Sequence, residues 1–268
     1  GGGLLFLFIY QKKRIMSKIV GFVNQKGGVG KSFTSKVVAN ALSARPRNKR
    51  ILLIDCDEQA TSVAMRKRDI EVLRSEEKPI EFSYPIATCL PADLPAVLAG
   101  KKPLQIITEA GPISCEFDDN KYDYTFVDMP GRGQSNDIFA LLASLDYAVI
   151  VIKGNDSETL STLDFLKIID RSQKLRTSHG IELLNLALMY NEFENTTIYQ
   201  NTVRFWEKMK SKHGILKEIL YLSSKETYKK YDNTYSNMLH ELRSNKSLEG
   251  LHKEFSSFVV KLTNFLEA

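Results

Sequence analysis

Cysteine is scarce and scattered in this chain. Cys56, Cys89 and Cys115 are all it has, and no two of them form a Cys-x-x-Cys pair, so neither a disulfide framework nor a zinc ribbon is indicated and a reducing cytoplasm fits. Histidine is equally thin: His179, His213, His240 and His252 stand far apart, which offers no metal-ligand spacing. Long apolar runs are missing too. The candidate at residues 4–10 falls short of the roughly 20 residues that span a bilayer, and it precedes its basic cluster, Lys12-Lys13-Arg14, the reverse of the order in a secretory signal. With Met16 just ahead of the first predicted strand, residues 1–15 are expected to be an extension and residues 16–268 a single domain. A strong charge of either sign is also absent. A net +5 over 268 residues permits contact with nucleic acid or an anionic surface without demanding it. There is no internal repeat and, apart from Gly1-Gly2-Gly3, no low-complexity tract.

What is present is a hydrophobic fraction of 43%, enough to bury a full core at this length, arranged as short β-branched runs alternating with longer helical stretches. That alternation predicts an α/β fold, a mostly parallel twisted sheet with helices on both faces. The predicted strands are 18–24, 50–55, 124–128, 147–152, 183–190 and a short one at 219–222. A helix is expected over about 32–43, with Pro46 beyond its end. Between 71 and 120, Pro79, Pro85, Pro91, Pro95, Pro103 and Pro112 break every candidate helix into short pieces, which suggests an excursion within the sheet's connectivity. In the tail, Leu248, Leu251, Phe255, Phe258, Val259, Leu262 and Leu266 recur at helical spacing and predict a helix packed on the sheet.

Chemistry concentrates where the first strand meets the first helix, in Gln25-Lys26-Gly27-Gly28-Val29-Gly30-Lys31-Ser32. Backbone N–H groups can converge on phosphate oxygens only where side chains do not block approach, and Gly27, Gly28 and Gly30 allow it at a point where a helix N-terminus favours an anion. Lys31 can reach the β and γ phosphates of a nucleoside triphosphate, and the Ser32 hydroxyl can serve Mg²⁺. The usual loop, G-x-x-x-x-G-K-[ST], would place glycine at position 25, where this chain has Gln25, and a second lysine, Lys26, opens the loop instead.

This segment resembles the deviant Walker A motif of the ParA/MinD family of P-loop ATPases, and the resemblance covers most of the chain from Met16. It implies ATP and Mg²⁺ as cofactors, nucleotide contacts from Lys26 through Ser32, including Val29, and from Phe33, and a homodimer formed with ATP in which Lys26 crosses to the partner's phosphates. Ile54-Asp55-Cys56-Asp57-Glu58-Gln59 looks like the family's Walker A′ segment, with Glu58 where proline is typical. By that resemblance Asp57 orders the catalytic water and the Mg²⁺ shell, Asp55 supports the site, and the departure at Glu58 bears on the local turn. Tyr124-Thr125-Phe126-Val127-Asp128-Met129-Pro130-Gly131 resembles a Walker B strand, with Asp128 placed for the metal's water shell. The glycines of Gly131-Arg132-Gly133, where the family often has a second proline, either let a switch segment move or make a turn. Asn191, after the strand ending Leu188-Met189-Tyr190, resembles the residue that meets the adenine edge.

The likeness is nearest to the short ParA proteins of DNA partition. It implies ATP-dependent, sequence-independent DNA binding on the nucleoid and release through a ParB-like partner. Independently of it, Lys208, Lys210, Lys212, Lys217, Lys225, Lys229, Lys230, Arg243 and Lys246, interleaved with Tyr221, Tyr228, Tyr231 and Tyr235, make a basic region suited to phosphates. The alternative is a MinD-like organiser anchored by its last helix. Lys253 and Lys261 there are outnumbered by Glu249, Glu254 and Glu267, which favours a packed helix and makes membrane contact the lesser expectation. Cluster-bearing reductases of related fold need dimer-bridging cysteines that have no counterpart here, and the related tyrosine autokinases lack the early lysine.

Overall fold

The first strand, β1 (Lys18–Val23), is buried along almost its whole length, as a run with apolar residues on both faces requires when helices cover both sides of a sheet. This computed structural model describes residues 17–131, 135–154, 156–194, 196–223, 228, 230–236 and 238–268, so the N-terminal extension lies outside the described residues. After β1 come α1 (Lys31–Ser43), β2 (Ile51–Asp55), α2 (Thr61–Ser75), β3 (Ile86–Thr88), α3 (Leu94–Leu98), β4 (Leu104–Thr108), β5 (Gly111–Cys115) and β6 (Tyr124–Asp128). The second half carries α4 (Ser135–Ser144), β7 (Tyr147–Ile152), α5 (Asp156–Ser178), β8 (Asn185–Phe193), α6 (Thr197–His213), β9 (Glu218–Ser223), α7 (Met238–Ser244) and α8 (Glu249–Glu267).

These strands form one sheet in the order β5-β4-β3-β2-β6-β1-β7-β8-β9. Pairing is parallel from β3 through to β9, and the proline-rich stretch returns as the antiparallel β4–β5 hairpin on one edge. The excursion therefore extends the sheet, as the broken helical pattern suggests. Because β1 sits between β6 and β7 while the chain leaves it for β2 on one side and reaches β7 on the other, its C-terminal end lies where connections diverge, the place where open α/β sheets bind ligands.

Two apolar layers flank the sheet. One gathers Val37, Val38 and Leu42 of α1 with Phe255, Phe258, Val259, Leu262 and Leu266 of α8. The other gathers Leu141 and Leu142 of α4, Phe165 and Ile169 of α5 and Trp206 of α6. The C-terminal stripe thus packs on the sheet, as its spacing predicts.

Sequence pattern and structure part at α2, which the sequence does not announce. Its buried face is Ser62, Val63, Arg66, Asp69, Ile70 and Leu73. Helical spacing is present, but polar residues occupy half of it and hide the stripe. Arg66 is buried because it is partnered: its Nε donates to Thr234 Oγ1 at 2.9 Å, an Nη donates to the Tyr84 carbonyl at 3.0 Å, and its guanidinium lies 3.7 Å from the centre of the Phe82 ring. Asp69 accepts from the Thr234 N–H at 2.7 Å and its hydroxyl at 2.8 Å. A smaller difference is that β8 runs on to Phe193, past a register irregularity with Glu192 at φ 57°.

A packed rather than surface-seeking α8 makes a clear stability prediction. Leu262→Ala, at a site with no exposure, is expected to cost about 2–5 kcal/mol. Val260→Ala, on the 46% exposed face, is expected to cost less than about 0.5 kcal/mol. Urea unfolding of the two variants measures both.

Candidate phosphate-binding site

The loop after β1 is tied from several sides. Asn24 is buried, donates through its side-chain nitrogen to the Val151 carbonyl at 2.8 Å and accepts the Lys26 N–H at 3.0 Å, so one asparagine joins the loop to β7. Val29 is 1% exposed and anchors the turn in the core beside α1. At Gly30 the backbone adopts φ 97°, and a Cβ there would fall 2.1 Å from Asn191 Nδ2; glycine is required both for the conformation and for the space. Gly27 and Gly28 stay exposed, leaving their backbone open to a ligand. Phe33 is half-buried and packs partly against the core.

Lys31 is nearly buried and donates from Nζ to the Lys26 carbonyl at 3.1 Å. Desolvation pulls its pKa below the ordinary lysine value, opposed by the charges of Asp128 and Asp57. Lys26 lies further out: its Nζ is 3.3 Å from Glu158 Oε1, and its side chain is 39% exposed while the glutamate is 5% exposed.

Across from the loop, strand register sets the carboxylates. Asp55 at the end of β2 stands opposite Asp128 at the end of β6, and Phe22 of β1 stands opposite Asp128 on the other side. Asp55 is fully buried and accepts from the N–H groups of Ser62 at 2.8 Å, Val63 at 3.2 Å and Asp57 at 3.1 Å. It is the cap of α2 in all but position, since the residue that begins that helix, Ala60, has no side-chain oxygen to offer. Desolvation raises its pKa against those three hydrogen bonds. Asp57 accepts the Gln59 N–H at 3.0 Å, and its own carbonyl accepts the Ala60 N–H at 2.8 Å. The turn that the family closes with proline thus forms around an exposed Glu58.

Asp128 is the electrostatic centre. It has no solvent exposure, its Oδ2 accepts from the Ser62 hydroxyl at 3.3 Å, and its Oδ1 is buried with no hydrogen-bond partner among the described residues. Burial, then repulsion from Asp55, lifts its pKa to about 7, while the Ser32 and Ser62 hydroxyls and the Lys31 charge act the other way. An orphaned carboxylate oxygen beside a helix-terminal serine fits a hydrated Mg²⁺. Among the described residues no group of three or more His, Cys, Asp or Glu side chains could hold a metal alone, so phosphate oxygens and water would have to complete the shell.

The structure thus brings Lys26 through Ser32, Asp55, Asp57 and Asp128 to one end of the sheet. Gly131 joins them: a Cβ on it would meet Gly27 Cα at 3.0 Å, so the glycine that replaces the family's second proline lets β6's exit pass against the loop. Arg132 and Gly133 lie outside the described residues. Asn191 also reaches the site, but its Nδ2 donates to the Val29 carbonyl at 2.9 Å, so the amide first of all holds the loop. Ser62 and Glu158 were not legible as site residues; each sits in an unremarkable helical context and acquires its place only through the fold. In the basic region, Lys208, Lys212, Lys217, Lys230, Arg243 and Lys246 are exposed, whereas Lys210 pairs with Glu218 at 3.4 Å. Tyr228 and Tyr231 are core residues and do not interleave with those cations. Lys225 and Lys229 lie outside the described residues. Among the described residues no helix is long and apolar enough to cross a membrane.

Comparison with known proteins identifies the family. Residues 20–250 match the family model described as the CobQ/CobB/MinD/ParA nucleotide binding domain. No curated protein matches. Among solved structures, a putative plasmid partition protein from Borrelia burgdorferi bound to AMPPNP superposes with a TM-score of 0.52 at 18% identity, covering 94% of this chain and 97% of that one. An ATP complex of a McdA variant from Cyanothece gives 0.56 at 15% identity, covering 92% and 96%. A ParA family ATPase from Chlorobium tepidum gives 0.50 at 16%, covering 91% and 98%. At these identities the likeness is one of fold.

The buried Asp128 generates a pH prediction. In the folded, nucleotide-free chain it keeps its proton up to pH about 7, whereas in the unfolded chain it releases it near pH ~4. Between those values the folded state binds more protons, so this carboxyl's contribution to stability falls as pH rises from about 4 to 7 and is level above. Asp128→Asn, which keeps the shape without the charge, is expected to raise nucleotide-free stability at pH 8 by about 1–4 kcal/mol and at pH 5 by only about a third of that. Thermal melts of both proteins across that range check the sign.

Proposed function

The chain belongs to the CobQ/CobB/MinD/ParA nucleotide-binding family, and from that premise we propose that it is a Mg²⁺-ATP-dependent dimerising ATPase of the ParA partition type. One observation carries the proposal. A glycine loop with two lysines, one buried and one reaching outward, faces a buried carboxylate with one oxygen that has no partner among the described residues.

In this reading the exposed amides of Gly27 and Gly28, with those of Val29 through Phe33, receive the phosphates of ATP, and Lys31 neutralises the β and γ oxygens. Ser32, with Asp57 and Asp128 acting through water, would hold Mg²⁺, which when bound neutralises charge developing on the transferred phosphoryl group. Asp57, half-buried at the rim beside Lys31, orients the attacking water. Asp55 keeps the start of α2, and hence Asp57, in place. With its nitrogen committed to Val29, Asn191 has its acceptor oxygen to offer the amino group of adenine. Lys26 serves the partner subunit's nucleotide, which makes dimerisation and ATP binding mutually dependent. To do so it must leave the buried Glu158, which keeps the Lys153 N–H as a donor to its other oxygen.

The exposed cations between Lys208 and Lys246 suit sequence-independent DNA binding on the nucleoid in the cytoplasm, with a ParB-like partner stimulating an otherwise slow hydrolysis. The MinD-like alternative asks α8 to offer an apolar face to lipid. The burial of Phe255, Phe258, Val259, Leu262 and Leu266 in the core supports the partition reading over it.

Two experiments test the proposal. With a slowly hydrolysed ATP analogue, light scattering should give a dimer that is absent with ADP and lost in Lys26→Ala, while the variant's monomers still bind nucleotide; a variant that dimerises normally removes the cross-subunit role. DNA affinity in the ATP state should fall steeply with salt, by about 10³-fold or more between 50 and 200 mM if some six phosphates are contacted. Affinity indifferent to salt or to nucleotide would remove the DNA step.

A further inference from the structure

The thiols of Cys56 and Cys89 come together at the edge of the site, although 33 positions separate them in sequence. They extend the parallel ladder of β2 and β3 one step beyond the Asp55–Thr88 pair, with the Cys89 N–H donating to the Asp55 carbonyl at 3.3 Å. Their sulfurs are 3.7 Å apart. Neighbouring strands hold their Cα atoms about 4.8 Å apart, inside the ~4.4–6.8 Å window of disulfides, which leaves the sulfurs about 1.7 Å to close. Access is one-sided: Cys56 is 1% exposed, whereas Cys89 is half-buried and is followed by Leu90 at 60% exposure. Cys115, the third thiol, sits on β5 opposite Leu104.

We propose that Cys56 and Cys89 form a reversible disulfide, a modification site for peroxide-class oxidants that lies between the two carboxylates of the A′ segment. In the first step the Cys89 sulfur attacks one oxygen of hydrogen peroxide, the O–O bond breaks, and hydroxide leaves with a proton to become water. In the second, Cys56 sulfur attacks the resulting sulfenic acid, the S–S bond forms, the S–O bond breaks, and the departing hydroxide takes the Cys56 proton. Two thiols lose two electrons in all, and one peroxide becomes two waters.

Cys56 is also where β2 meets β6, since its N–H donates to the Asp128 carbonyl at 3.0 Å, and its flanking residues are Asp55 and Asp57. Drawing its sulfur toward β3 displaces the carboxylates on either side. Displacements of that size are enough to lower a reaction rate about 100-fold. The effect on turnover rests on the ATPase proposal; formation of the bond does not.

The full chain, reduced and then exposed to hydrogen peroxide, should lose two hydrogens in intact mass, yield a Cys56–Cys89 linked peptide, and retain Cys115 as a free thiol. ATP turnover should fall by about 10- to 100-fold and return with dithiothreitol. Cys89→Ser and Cys89→Ala should form no such link and keep their turnover under the same treatment. Oxidation that stops at over-oxidised Cys89, or that joins separate chains, overturns the proposal. A linked peptide with unchanged turnover overturns its regulatory half. Absence of turnover in the reduced chain instead counts against the ATPase reading, while peptide mapping still decides the disulfide.

Discussion

Everything at the candidate site depends on one electrostatic constraint, the burial of two carboxylates side by side. Parallel register makes Asp55 and Asp128 neighbours at the ends of β2 and β6, and both have no solvent exposure. Two bare charges cannot be kept so close in a poorly polarisable interior. The structure resolves this by treating them differently. Asp55 receives three backbone N–H bonds, whereas Asp128 has one oxygen without a partner among the described residues and a pKa raised to about 7. One acid is tied down by backbone donors, and the other keeps its proton toward neutral pH.

That division also explains the position of Lys31. A lysine this buried is unfavourable unless anionic groups lie near, and Asp128 and Asp57 are those groups in the protein itself. A triphosphate with its metal would supply further charge of both signs and relieve each strain at once. Glycine at Gly30 and Gly131 belongs to the same economy of space: a Cβ at Gly30 would overlap Asn191, and one at Gly131 would crowd Gly27.

Much of this was readable from the chain. The phosphate loop, both acidic strand ends and the strands at 124–128 and 147–152 follow from local pattern, because a buried parallel strand is a nearly unbroken apolar run and a helix start after glycines is a local event. The missing parts are those made by long-range contact. Nothing near Ser62 announces that its hydroxyl will meet Asp128, since that depends on α2 being tethered to β2. The helix itself was obscured because Arg66 and Asp69 occupy core positions, which they can do only once Thr234, far along the chain, supplies their partners. Tyr228 and Tyr231 erred in the opposite sense: their alternation with lysines suggested a nucleic-acid face, yet they pack inside.

Helix α2 then links the two regions that the proposed function needs. Its first turn is held by Asp55 at the phosphate site, and two turns further on, Arg66 and Asp69 hold the segment that carries Thr234. Arg68 and Lys36 hold Asp232 of the same segment, the latter from α1, the helix that the phosphate loop opens. The segment is flanked by Lys230 and, through α7, by Arg243. Both helices that begin at the candidate nucleotide site therefore make polar contacts with one stretch of chain beside the exposed cations. A change in how Asp55 or the loop is held acts on helices that are also attached to that stretch, so the site and the basic surface are joined by hydrogen bonds and an ion pair as well as by the sheet.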